Sequence, residues 1–216
     1  MIKLNEYGRS MIEMLGVLAI VGVLSIGGIN GYSKAMDSYK MNKLLSEYVE
    51  FFSDVIHGKE WWFKEHKKNS SSTYASDSLY KISGFLDQAL TLPKGWKGEE
   101  GAGTGIYDSS GSLIYVYARK STIQFDFFMK RSGESYYSRD KCKLILGKVL
   151  KEFSNNVEWV ALYSNSQKVS DFWYGNQYCT GEENKCYKDM SLNDMITMCN
   201  KEVNSDVNLA ITVKMF

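Results

Sequence analysis

Proline is nearly missing from this 216-residue chain, with Pro93 its only copy, and histidine is limited to His57 and His66. A single proline, together with 44% hydrophobic and 14% aromatic residues, excludes a disordered chain and points to a packed, aromatic-rich fold. The two histidines have no nearby spacing of acids or cysteines that would make a zinc site, so no metal and no cofactor are expected, and catalysis has little to stand on. Net charge is almost absent too, at +1, which removes the basic surplus that nucleic-acid binders carry. The nearest basic cluster, Lys64, Lys67 and Lys68, is interrupted by Glu65 and reads as a solvated face. Cysteine is missing from the first 140 residues. The Gly-rich run 98–105 lacks the Gly-Lys-Ser/Thr of a phosphate loop, and Asp108-Ser109-Ser110-Gly111 lacks the acidic partner of a calcium site and reads as a turn before a strand.

What is present begins with an apolar run at 14–29, extended by Met11 and Ile12 to the roughly 17–20 residues a bilayer-spanning helix needs. Inside it stands one carboxylate, Glu13. An ionised side chain at the bilayer centre costs roughly 2.5–3.5 kcal/mol, less toward the interface, so this acid demands a functional reason. The remaining length suits one exposed domain of about 150–180 residues. The four cysteines, Cys142, Cys179, Cys186 and Cys199, form no CxxC pair and fit disulfides in an oxidising compartment. Four cysteines allow three pairings; the preferred one joins Cys142 to Cys199 and Cys179 to Cys186. Those cysteines place the C-terminal region outside the cytoplasm and leave a short leader within. Residues 25–27, Ser-Ile-Gly, make a poor signal-peptidase site, which argues against an ordinary secretory signal.

Gly8, then Glu13 five residues on, then the apolar run resembles the class III leader and N-terminal helix of type IV pilins and pseudopilins, a resemblance confined to about the first 35 residues. It implies that a prepilin peptidase cuts between Gly8 and Arg9 and methylates the new amine of Arg9. It also implies that Glu13 pairs with the N-terminal amine of a neighbouring subunit during assembly. Cleavage creates an amine with a reference pKa of about 7.7–8.0 a few residues from Glu13. Arg9 replaces the phenylalanine usual at the first mature position, and its guanidinium, four residues before Glu13, can reach that carboxylate within one chain. The implied partners are a homo-polymer or mixed pilin filament, the prepilin peptidase, an inner-membrane assembly platform and the lipid bilayer. The implied location is a single-pass bacterial inner-membrane precursor that becomes an extracellular pilus or periplasmic pseudopilus.

Beyond the apolar run, Ile29, Tyr32, Met36, Tyr39, Leu44, Tyr48, Phe52 and Val55 suggest one helical stripe, continuing the helix to His57-Gly58. Gly27 and Gly31 make a small-xxx-small pair for close helix approach. The organisation expected is a leader at 1–8, a transmembrane and polymerisation helix at 9–29, an amphipathic continuation at 30–57 and a globular head at 58–216. Within the head, residues 69–72 read as a surface loop, with a weak glycosylation match at Asn69, and 80–90 as a second helix. Residues 113–118 and 121–129 read as a hairpin, and 139–153 as an amphipathic helix carrying Cys142. Ser191 with Asp194 suits the cap of a helix reaching Cys199, and 207–216 alternates as a half-buried strand.

These elements give an α+β class: a long N-terminal helix laid on an antiparallel sheet, as in a pilin-like roll, with a faint likeness to the larger type IVb pilins. The function expected is a structural subunit, not an enzyme. The alternatives are a pseudopilin of a type II secretion system, or a monomeric membrane-anchored binding domain with its ligand surface around Trp61, Trp96 and Trp173.

Overall fold

The structure is a computed structural model, and it describes residues 6–69, 77–78, 92–98, 105–119, 122–130, 139–164, 171–181, 184–200 and 207–214. The first element is a single helix, α1 (Glu6–Asn69). It passes through His57 and Gly58, where the sequence suggests an end. A glycine stops a helix when it takes a left-handed conformation just past the last turn, and among the described residues the glycines with positive φ are Gly95 and Gly111, so Gly58 stays helical at a cost of about 1 kcal/mol.

Packing divides the chain into two units, Met1–Lys43 and Leu44–Phe216. The boundary coincides with a break in the stripe that the sequence suggests is continuous. The five-residue step from Tyr39 to Leu44 turns the helical wheel by about 140°, so the two halves lie on different faces. Ile29, Tyr32 and Tyr39 are exposed, whereas Leu44, Tyr48, Phe52 and Val55 are buried.

In the second unit, eight strands among the described residues form one antiparallel sheet: β1 (Asp77–Ser78), β2 (Lys97–Gly98), β3 (Gly105–Tyr107), β4 (Leu113–Arg119), β5 (Thr122–Lys130), β6 (Val157–Ser164), β7 (Asp171–Tyr174) and β8 (Val207–Lys214). Their spatial order is β2-β3-β4-β5-β8-β6-β7, with β1 beside β4. The expected hairpin is β4–β5, in register from Ile114 opposite Phe127 to Arg119 opposite Thr122. The alternating C-terminal segment is β8, which lies between β5 and β6. The α+β class therefore holds; the expected helix at 80–90 lies outside the described residues.

Alternation along β5 sends Ile123, Phe125, Phe127 and Met129 to the core. There Phe125 meets Phe51 edge-on at 5.5 Å between centroids, and Phe127 stacks on Phe52 at 5.9 Å. Phe52 also stacks on Phe153 at 5.9 Å. Buried aromatics of this size carry a large share of the hydrophobic driving force, roughly 3–5 kcal/mol each when truncated to alanine.

Phe153 ends α2, the helical segment 139–153, which is α-helical at Arg139–Leu144, widens to a π-turn at Ile145–Val149 and closes as Leu150–Phe153. Its apolar face, Cys142, Ile145, Leu146, Val149 and Leu150, is at most 1% exposed. The last helix, α3 (Leu192–Cys199), opens on the anticipated capping box: Ser191 Oγ accepts from the Asp194 N–H, and the Asp194 carboxylate accepts from the Ser191 N–H. A disulfide joins Cys142 of α2 to Cys199 of α3, both wholly buried, across 57 residues. Cross-linking so long a loop removes denatured-state entropy worth about 4 kcal/mol in the chain-entropy model. A second disulfide joins Cys179 to Cys186, seven residues apart.

Candidate functional sites: an exposed apolar helix and a buried ion-pair network

In the first unit, Gly8, Arg9 and Glu13 all fall on the α1 backbone. The Arg9 side chain, and with it the expected Arg9–Glu13 pair, lies outside the described residues. From Met11 to Ile29 the apolar side chains are open on every side: Met11 is 71% exposed, Val23 72% and Ile29 68%. Gly16, Gly22, Gly27, Gly28 and Gly31 have no atom within 4 Å of where a Cβ would sit, so each leaves a notch in the helix surface. The Ser25 hydroxyl donates to the Val21 carbonyl at 2.7 Å, which satisfies its polarity inside the helix. Among the described residues this is one helix long and apolar enough to cross a membrane. Its length and exposed apolar surface are compatible with a membrane anchor. The glycine notches allow a second backbone to approach closely.

In the second unit, the sequence places an acid on the buried face of α1. Glu47 lies three residues after Leu44 and four before Phe51, a spacing that puts all three on one side of the helix. Its Oε2 accepts hydrogen bonds from Trp96 Nε1 at 3.0 Å and from the Ser109 hydroxyl at 2.6 Å. The next residue, Tyr48, is fully buried and donates to Asp108 Oδ2 at 2.5 Å.

Asp108 begins the turn that joins β3 to β4. The Gly111 N–H donates to the Asp108 carbonyl at 2.9 Å, and Gly111 adopts φ +80°, a conformation glycine takes without strain. Asp108 Oδ1 accepts from the Ser110 N–H and the Ser112 N–H, both at 2.9 Å, and from the Ser110 hydroxyl at 2.6 Å. Oδ2 is shared between Tyr48 and the ammonium of Lys141, 2.8 Å away in the first turn of α2. Both partners of this ion pair are shielded, with side chains 4% and 0% exposed.

Burial alone would raise the Asp108 pKa, but the Lys141 charge and the hydrogen bonds from Lys141, Ser110 and Tyr48 outweigh it and hold the carboxyl below its usual value. Asp108 is thus a permanent anion that ties α1, the β3–β4 turn and α2 together. The turn reading of residues 108–111 is correct. The sequence gives no sign that the turn is a buried hub, because its partners are 33 and 60 residues away.

Burial, then the charge of Asp108, pushes Tyr48 well above its ordinary value, and burial pushes Tyr187 up to about 12. The Tyr187 hydroxyl donates to the carbonyl of Leu146 in the π-turn of α2. A phenol whose folded pKa is raised gives stability that is complete below its unfolded pKa of about 10 and is lost as pH rises through the folded value. Stability should therefore fall between pH 10 and 12. The Tyr187 share, discounted for partial exposure, is roughly 1–2 kcal/mol. Urea midpoints measured across that range should fall less steeply in Tyr187→Phe than in the parent; equal slopes would mean that Tyr187 does not titrate with unfolding.

Of the three tryptophans offered by the sequence as a ligand surface, Trp96 and Trp173 are core residues, 6% and 7% exposed. The Trp61 side chain lies outside the described residues. His57 is an ordinary helix residue whose Nδ1 lies 2.7 Å from the Ser53 carbonyl. Among the described residues, no group of three or more His, Cys, Asp or Glu side chains could hold a metal ion.

No protein-family model, no curated protein and no solved structure matches the chain.

Proposed function

We propose that the chain is a prepilin: a membrane-anchored precursor cleaved after Gly8 and assembled through its N-terminal helix into a filament of the type IV pilus class. The observation that carries this reading is the order of features on α1. A Gly8-Arg9 junction lies near the start of α1, and Glu13 stands among the first of the apolar residues that are exposed from Met11 to Ile29. A soluble domain has no use for such a segment, and a plain anchor has no use for a carboxylate near its start. A helix that first lies in lipid and then docks against other copies uses both.

The chain contributes mechanical work and no bond chemistry. The bilayer holds the precursor, the peptidase and assembly platform act on it, and the extracytoplasmic head, closed by its disulfides, is carried on the fibre. Once residues 1–8 are removed, the Arg9 amine and the Glu13 carboxylate of adjoining copies can neutralise each other as a helix leaves the membrane. Each incoming helix then gains most when docked in register, since an acid left unpaired in an apolar bundle is costly.

Replacing Glu13 by valine separates anchoring from assembly. Glu13→Val should enter the membrane at least as well as the parent, since it removes a charge, while sheared fibre yield falls at least tenfold. Fibre yield equal to the parent would show that Glu13 has no part in docking.

A further inference from the structure

We propose that Cys179–Cys186 is a redox latch that opens in the folded head, while Cys142–Cys199 stays closed. The two disulfides occupy opposite environments. Cys142 and Cys199 are wholly buried between α2 and α3, so a reductant reaches them only through unfolding. Cys179 and Cys186 are both half-buried at the surface. Thiol–disulfide exchange requires a thiolate to approach one sulfur in line with the bond, so access divides the two sites before any difference in bond energy is considered.

The surface disulfide closes a strap on the edge of the sheet. Among the described strands β7 is the last in the order and pairs through Asp171–Tyr174 with β6. On its other side, Cys186 makes an isolated parallel bridge with Tyr174, and the Tyr174 N–H donates to the Lys185 carbonyl at 2.8 Å. Lys185 then turns back over the strand: its ammonium lies 2.5 Å from Asp171 Oδ1 and 5.4 Å from the centre of the Trp173 ring. Two residues on, Tyr187 reaches the Leu146 carbonyl in the π-turn of α2. Residues 184–187 thus occupy an edge N–H, lay a lysine across the edge and pin the strap to a core helix. Occupied N–H groups and edge lysines are what keep a terminal strand from pairing with other chains.

Opening requires a dithiol reductant. Its thiolate attacks Sγ of Cys179 or Cys186, the S–S bond breaks, and the second cysteine leaves as a thiolate that takes a proton. The reductant's other thiol then resolves the mixed disulfide. Two cysteine thiols form in the protein, and the reductant departs as its cyclic disulfide, having supplied two electrons and two protons. Without the covalent tie, the strap is held by the Tyr174 and Tyr187 hydrogen bonds and an exposed ion pair.

The test uses the full chain, folded in detergent without denaturant. After treatment with dithiothreitol and quenching with iodoacetamide, peptide mass analysis should find Cys179 and Cys186 alkylated at least tenfold faster than Cys142 and Cys199. Amide exchange at Tyr174 should rise at least tenfold in the singly reduced protein and in Cys179→Ser/Cys186→Ser, with the β5–β8 amides unchanged. Reduction of both disulfides at one common rate would overturn the proposal, as would Tyr174 exchange that ignores the state of Cys179–Cys186. Failure of the double-serine variant to fold would overturn it too, because a latch must open on a standing head.

Discussion

Asp108→Ala should destabilise the head by about 3–5 kcal/mol, the cost of stripping a buried ion of its partner. The loss is large because Asp108 answers five donor contacts at once. Its removal leaves the Lys141 ammonium, 3% exposed as a residue, with the Ser110 hydroxyl at 3.1 Å as its remaining described contact. It also deprives the Tyr48 hydroxyl of its acceptor.

The reverse deletion is milder. In Lys141→Met the aspartate keeps Tyr48 and the three contacts from Ser110 and Ser112, so the anion stays solvated by protein dipoles. An apolar chain of similar volume also fills the lysine's place. The double variant Asp108→Ala/Lys141→Met should be more stable than Asp108→Ala alone, because it removes the stranded cation. Urea unfolding of the three variants tests the order. A head that tolerates Asp108→Ala better than Lys141→Met would mean that the lysine, not the aspartate, is the hub.

How much of this was legible beforehand depends on the range of the interactions involved. The β4–β5 hairpin, the α2 stripe and the Ser191–Asp194 cap are local patterns, and each lies within a residue or so of its expected place. β8 was legible as an alternating strand but not as a central one. Its second face is buried at Ala210, 3% exposed, which pairs with Ala161 of β6, 2% exposed, and alanine is too small to announce burial in a hydropathy pattern. The five-residue step from Tyr39 to Leu44 was visible in the sequence, and it marks where one face of α1 ends and another begins. Glu47 was also visible, on the buried face of its own helix. What it meets there was not, because Ser109 lies 62 residues away and no periodicity reports such a contact.

The N-terminal segment is the opposite case. Gly8, Arg9, Glu13 and the apolar run are all neighbours in sequence, so the pattern that suggests processing is complete before any fold is known. The fold adds that the run's apolar side chains are exposed within their own unit.

The central claim is that this chain is a prepilin, and the intact mass of the exported protein tests it most directly. Expressed in cells that possess a prepilin peptidase, the protein should begin at Arg9, lighter by residues 1–8 and carrying one methyl group where the amine is modified. A bulky residue at the junction, as in Gly8→Leu, should keep the leader in place and leave the protein in the membrane. A parent chain that retains residues 1–8 in those cells would contradict the account.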